Sequence, residues 1–256
     1  MALLSVVLAA ARNNAEWCDV FCRTHGLAAA FHPEYWASPQ RTPPLYADAV
    51  TLVPEVDWGQ LLAQVDASDG CSVKDSFRDL DLTAAGFAVL FDAEWLVRQT
   101  TEALVSSEWS VIRAAEQLEP WEAAWGESSG PARFFESTLL ANESVAVLAR
   151  HDRNLIRAGA VANRSATVIG LSNVFDAEGD LEAAWSGGAA AAQARWGTLP
   201  VVGYASGESL DAAHRAGFES VGQLAVWMKS DDAASDGGSS RSGQDPRLRP
   251  RALDRA

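Results

Sequence analysis

Residues 210–227 read LDAAHRAGFESVGQLAVW, and this stretch decides the fold. A short helix over Ser209 to Arg215 stops at Gly217, where a residue without a Cβ supplies the left-handed turn that ends a helix. Phe218 then plugs the core at the corner, and an apolar strand returns over Val221 to Met228.

Working upstream, Leu199 to Tyr204 reads as a strand, and Asp180 to Arg195 as an alanine-rich helix ended by Gly197. Before that helix come three strand signals in series: Ser144 to Ala149, Ile156 to Asn163 and Ala166 to Phe175. Turns at Arg150–Asn154 and Asn163–Ser165 separate them. Two short helices, Pro120 to Trp125 and Ala132 to Leu140, and a strand at Trp109 to Ala114 (WSVIRA) precede these. The order is strand, two helices, three meandering strands, helix, strand, helix, strand.

The N-terminal hundred residues have a plainer reading. Ala2 to His25 is a helix closed at Gly26, residues 32–48 are an irregular proline-rich connection, and Ala49 to Val53 is a strand stopped by Pro54. Asp57 caps a short helix carrying Trp58, Leu61, Leu62 and Val65. Cys71 to Phe77 and Phe87 to Phe91 are two further strands. The tail from Asp231 to Ala256, rich in Ser, Gly, Asp, Pro and Arg, lacks apolar residues to bury and is expected to be disordered. The chain therefore divides into an N-terminal helix-and-strand extension (1–100), a C-terminal domain (101–230) and a tail (231–256).

The composition excludes several partners. With 34 acidic against 20 basic residues the formal charge is −14, which repels phosphate backbones and anionic lipid, so neither nucleic acid nor membrane is expected. No apolar run approaches the roughly 20 residues of a membrane span. Three cysteines form no disulfide framework and suit a reducing cytoplasm. Cys18, Cys22 and His25 share one helix without a second ligand pair, which favours buried thiols over a metal site. The chain lacks a P-loop, a dinucleotide fingerprint, Gly-x-Ser-x-Gly and His-Glu-x-x-His, which argues against kinases, nucleophilic hydrolases and zinc proteases.

The succession over 109–229, with the Gly217-Phe218 corner and the strand ATVIGLSNVF (166–175), resembles the GNAT acetyltransferase superfamily. The resemblance implies an α/β fold of the α+β type, a mixed central sheet flanked by helices. It also implies an acyl-CoA-dependent N-acetyltransferase acting on a small-molecule or peptide amine, with acetyl-CoA as co-substrate. In that superfamily the strand matching 166–175 splays from its neighbour and pairs with the pantetheine arm, so Asn173, Val174 and Phe175 are the cofactor-binding candidates. The following loop, Arg/Gln-x-x-Gly-x-Gly/Ala, holds pyrophosphate at a helix N-terminus.

This sequence departs there. FDAEGDLEAAW (175–185) keeps only Gly179 of the glycine pattern, has no Arg or Lys, and carries Asp176, Glu178, Asp180 and Glu182, which would repel a pyrophosphate. Gly187-Gly188 would let the helix pack closely on the sheet. The family's acid, a tyrosine four residues before the glycine of Gly-Phe, falls on Ala213, leaving His214 or Tyr204 for the role. Asp176 or Glu136 could act as base through water. Asn173 interrupts an apolar strand, as an acyl-facing residue or as the residue of a strand bulge. The catalytic candidates are thus Tyr204, Asn173 and Asp176, with no metal ligand. The departures also fit a second reading, a GNAT-fold binding or interaction module without catalysis, with Trp36, Trp58 or Trp95 on an exposed apolar face.

Overall fold

A computed structural model describes residues 3–99, 108–126, 134–153 and 155–230. The chain opens with α1 (Leu3–Thr24), then β1 (Ala30–Phe31), β2 (Tyr35–Ala37), β3 (Ala49–Thr51), α2 (Trp58–Leu62), β4 (Ser72–Asp75) and β5 (Phe87–Arg98). It continues with β6 (Trp109–Val111), α3 (Leu118–Trp125), β7 (Val145–Asp152), β8 (Leu155–Arg164), β9 (Ile169–Asp176), α4 (Leu181–Trp196), β10 (Val201–Ala205), α5 (Gly207–Arg215) and β11 (Glu219–Lys229).

All strands among the described residues join one mixed sheet in the order β1-β2-β3-β4-β11-β5-β10-β9-β8-β7-β6. The three-strand meander expected over 144–175 is present as β7 to β9, each antiparallel to its neighbour, and β6 adds antiparallel to β7 at the edge. Several elements differ from expectation. The proline-rich stretch 32–48 contains β2, whose Tyr35, Trp36 and Ala37 are buried and pair with β3. The expected strand at Phe87–Phe91 runs on to Arg98, because Ala93, Trp95 and Val97 keep the alternation inward across Asp92 and Glu94.

That extension shapes the site. β5 inserts between β10 and β11, pairing antiparallel with both, so a strand from the first hundred residues lies inside the sheet formed by the last hundred. Of the second short helix expected at 132–140, the described part is a 3-10 turn, Ser137–Ala141; residues 127–133 lie outside the described residues, as does the tail 231–256.

Helices cover both faces. α1 and α3 lie on one, where Phe21, Trp121 and Phe175 share a core. α4 and α5 lie on the other, where Ala160, Leu171, Val174, Trp185 and Phe218 meet. Consecutive residues of β8 show the division: a Cβ on Gly159 would strike Trp121 and Phe175, whereas Ala160 lies against Gly188 of α4. The close packing expected at the glycine pair is present, with Gly187 against the Trp109 indole. α1 is fixed to the sheet by a reciprocal buried pair: Asn13 Nδ2 donates to Asn163 O at 3.1 Å and Asn163 Nδ2 to Asn13 O at 3.0 Å. At the corner Gly217 has φ +85°, and Phe218 packs edge-on to Trp185 with ring centroids 5.0 Å apart.

The tryptophan face expected under the second reading is not formed. Trp36 and Trp95 are buried, donating to Asp19 Oδ1 and Ser76 O, and of the three only Trp58 is exposed. Indole area of this size was drawn into the core. Among the described residues, no helix is long and apolar enough to cross a membrane.

Candidate functional site

β9 and β10 run parallel but pair only at Ile169–Val201 and Gly170–Val202. Beyond those pairs β9 continues against β8 and β10 against β5, so the two strands part. Just past the last pair, a Cβ on Gly203 would lie 2.8 Å from Leu171 O; the glycine is required for that approach.

A bulge turns β9 aside at the same level. Ser172 faces Val161 and Phe175 faces Gly159, so Asn173 and Val174 together stand opposite Ala160. Asn173 adopts φ +51°, a left-handed conformation that asparagine tolerates better than other non-glycine residues. Asn173 thus stands in the bulge, and it also lines the cleft beside it.

On the α1 side of the parting lies a small cleft of about 20 Å3. Ser172, Asn173 and Tyr204 form its floor, Asn14, Trp17 and Cys18 of α1 one wall, and Tyr46 and Lys74 the other. Lys74 belongs to β4, between Val50 of β3 and Val226 of β11, and is 5% exposed. Its Nζ donates to Asn14 Oδ1 at 2.9 Å and to Tyr204 Oη at 3.0 Å. The Tyr204 ring packs edge-on to Trp95, which fixes the phenol's direction. Ser172 Oγ and Tyr46 Oη are buried without a hydrogen-bond partner in this geometry. Burial, and then the neighbouring Cys18 and Tyr204, push the Tyr46 phenol well above its usual range, so it stays protonated. Burial likewise raises the Cys18 thiol to about 11 and the Cys71 thiol to about 12.

The other sequence candidates stand elsewhere. Val174 and Phe175 point to opposite faces, Val174 into the α4 core and Phe175 edge-on to Trp121 at 5.0 Å. Asp176 lies beside Ala158 on the α4 face and does not line the cleft. Its Oδ2 accepts from Arg150 Nη2 at 2.7 Å, and its Oδ1 from the backbone N–H groups of Glu178 (2.8 Å) and Asp180 (3.2 Å). Asp180 Oδ1 in turn accepts from Ala183 N at 3.1 Å and caps α4. Gly179 has φ +91° with open space around it, so it serves the turn.

The acidic loop is answered from outside its own sequence. Arg150 pairs with Asp176, Arg157 lies 3.7 Å from Glu178, and Arg215 pairs with Glu182 at 3.0 Å. Glu136 precedes the 3-10 turn, and His214 Nε2 lies 2.9 Å from Ser220 Oγ at the surface. The structure thus brings together Tyr204 and Asn173, and adds Lys74, Ser172 and Tyr46, which sequence reasoning missed. Lys74 did carry a signal: it is one of only two lysines among 20 basic residues, and it interrupts the strand CSVKDSF. Among the described residues, no group of three or more His, Cys, Asp or Glu side chains is placed to hold a metal.

No protein-family profile matches the sequence, and no curated protein matches it. Solved structures do. A GCN5-related N-acetyltransferase from Kribbella flavida aligns with TM-score 0.60 at 14% identity, over 90% of this chain and 96% of that one. A chain from Novosphingobium aromaticivorans assigned to the GNAT family aligns with TM-score 0.49 at 12% identity, over 86% of this chain and 99% of its own. At these identities the likeness is one of fold, and the first of the two carries it. The chain has a GNAT-like fold: a large mixed sheet with helices on both faces and a parallel pair of strands that part at their C-terminal ends.

Proposed function

We propose that this protein is an N-acyltransferase of the GNAT kind. It takes an acyl thioester such as acetyl-CoA as donor and a small-molecule or peptide amine as acceptor. The observation that carries the reading is the parting of β9 and β10 at a bulge, directly beside a cleft holding Tyr204 and a buried lysine. Amide groups of parted strands can pair with a pantetheine arm, and backbone N–H near Asn173 to Phe175 can polarise an acyl carbonyl.

The fit to the whole donor is unequal. The parted strands suit its pantetheine arm, but the loop does not suit its phosphates. The N–H groups of Glu178, Asp180 and Ala183 already donate to Asp176 and Asp180. A pyrophosphate would have to displace a buried carboxylate from Arg150. The donor is therefore held through its arm and acyl end, with its phosphates left in solvent.

The thioester supplies the activated acyl group, and the chain's own residues position and move protons. Tyr204 Oη accepts from Lys74 Nζ, which leaves its own proton free to point into the cleft toward a departing sulfur. Lys74 fixes that geometry by holding Asn14 at the same time. α1 and Tyr46 narrow the cleft and limit water. Asp176, bound to Arg150 and the loop amides, positions the loop and takes no proton from an acceptor in the cleft.

The test is thiol release from acetyl-CoA by the full chain across a panel of primary amines. Amine-dependent release that falls at least tenfold in Tyr204→Phe supports the reading. Release no faster than without enzyme, for every amine, overturns it.

One observation favours a second reading, a GNAT-fold binding module without catalysis: Asp176 occupies the amides that a phosphate would need. Under that reading ligands enter the cleft but no donor is turned over.

A further inference from the structure

We infer that the cleft between α1, β4 and the parted strands is a receptor for a carboxylate group, so that the acceptor is an amine that also carries a carboxylate, such as a small amino acid. The inference deepens the function proposed above and rests on that cleft being the acceptor end.

Lys74 has the burial of a core residue and the charge of a surface one. It is 5% exposed, yet among the described residues no carboxylate lies within ion-pair distance of its Nζ. Its hydrogen-bond partners, Asn14 Oδ1 and Tyr204 Oη, and the Tyr204 ring 4.1 Å away at its centroid are all neutral, for an ammonium that has three protons to donate. A buried charge met only by neutral groups is costly, and an anion placed against it recovers that cost.

The surrounding acids are committed elsewhere. Asp19 of α1 accepts from Arg23 and Trp36. Asp48, ahead of β3, accepts from Arg41, Thr42 and Ser72. Asp75, next to Lys74, accepts from the backbone of Phe77 and Leu80. None is left to turn toward the lysine.

Two further donors belong to residues that line the same cleft. Ser172 and Tyr46 line the cleft, and their hydroxyl oxygens are buried and lack partners. Orphaned hydroxyls in a native interior call for a ligand or ordered water. One ammonium and two hydroxyls, with Tyr204 alongside, match a carboxylate, a monoanion whose two oxygens accept about four hydrogen bonds. The single positive charge balances one negative charge, which selects a carboxylate over a phosphate dianion. It also repels a second ammonium, which disfavours diamines as acceptors.

The test needs no donor, so it is independent of acyl transfer. Trp17 lines the cleft, so the change in the chain's tryptophan fluorescence on titration is the readout. The full chain is titrated at constant ionic strength with acetate, glycine and L-alanine, and in parallel with methylamine, ethylenediamine and inorganic phosphate. Saturable binding of the carboxylates is expected, at least tenfold tighter than methylamine or phosphate. Lys74→Met is expected to lose at least tenfold of it, and Tyr46→Phe and Ser172→Ala several-fold each. The latter two are mild changes and decide the matter if Lys74→Met fails to fold. No saturable response to any carboxylate, an equal response to methylamine or phosphate, or unchanged affinity in both Tyr46→Phe and Ser172→Ala overturns the inference. Acyl transfer to amines with no preference for a carboxylate would sink this inference and leave the proposed function standing. Carboxylate binding without transfer would do the reverse.

Discussion

Replacing Asp176 by alanine removes three interactions at once. The side chain is fully buried and binds Arg150 Nη2 at 2.7 Å, Glu178 N at 2.8 Å and Asp180 N at 3.2 Å. Deleting one partner of a buried ion pair costs about 3–5 kcal/mol, because the other charge is left uncompensated. Arg150 keeps about a quarter of its side chain in solvent, and the freed amides sit on a loop that water can reach, so the low end applies, about 3 kcal/mol. Asp176→Asn keeps the shape and one acceptor and should lose roughly half as much. Urea unfolding followed by tryptophan fluorescence measures both, with an unchanged m-value as the check that stability alone has moved. Arg150→Met should rescue part of the Asp176→Ala loss, since the orphaned charge is then gone. A loss under about 1 kcal/mol for Asp176→Ala, or equal losses for alanine and asparagine, would refute the claim that this carboxylate holds the loop. The same variant frees two amides and a guanidinium at the start of α4. Its affinity for a phosphate-bearing donor should rise as its stability falls.

Asn173→Gly should leave stability within about 0.5 kcal/mol, because glycine accepts φ +51°, whereas Asn173→Ala should lose about 1 kcal/mol; equal losses would mean that the asparagine side chain and not the backbone is needed. Gly203→Ala sets a Cβ against Leu171 O just past the last pair of β9 and β10, and should cost about 1–3 kcal/mol in thermal or urea unfolding; a neutral result would show that the strands part earlier than described. With its thiol raised to about 11, Cys18 should be about one part in a thousand thiolate at pH 8 and resist a thiol-specific disulfide reagent until the protein unfolds. The native state holds that proton more tightly than the unfolded chain does. This contribution to stability is therefore complete below about pH 8.5 and lost as pH rises toward 11; a stability rising over that window would contradict it.

The parts of the fold that depend on local chemistry could be read from the sequence. Gly217 and Phe218 form the corner, Asp57 caps its helix, and the meander falls within a few residues of its expected bounds. What could not be read was set by distant pairing. Nothing in FAVLFDAEWLVR says that it slides between β10 and β11, and Asp92 and Glu94 hide its second half behind charge. The loop at 176–182 was read as four repelling acids, but three of them meet arginines supplied by β7, β8 and α5. Asp176, a candidate base from its position alone, faces away from Tyr204 because the bulge at Asn173 shifts the alternation by one residue. Lys74 was visible as a lysine in an apolar strand, but that it spans the sheet to a tyrosine 130 positions later is a property of the fold.

The most direct test is calorimetric titration of the full chain with acetyl-CoA and with S-acetylpantetheine, which shares the arm and acyl group but lacks the nucleotide. Both are expected to bind, with affinities within about tenfold, or 1.4 kcal/mol, of each other, because the phosphates find no partner in the loop. Acetyl-CoA binding more than about a hundredfold tighter would contradict the carboxylate-filled loop, and no binding of either would contradict the acyltransferase itself.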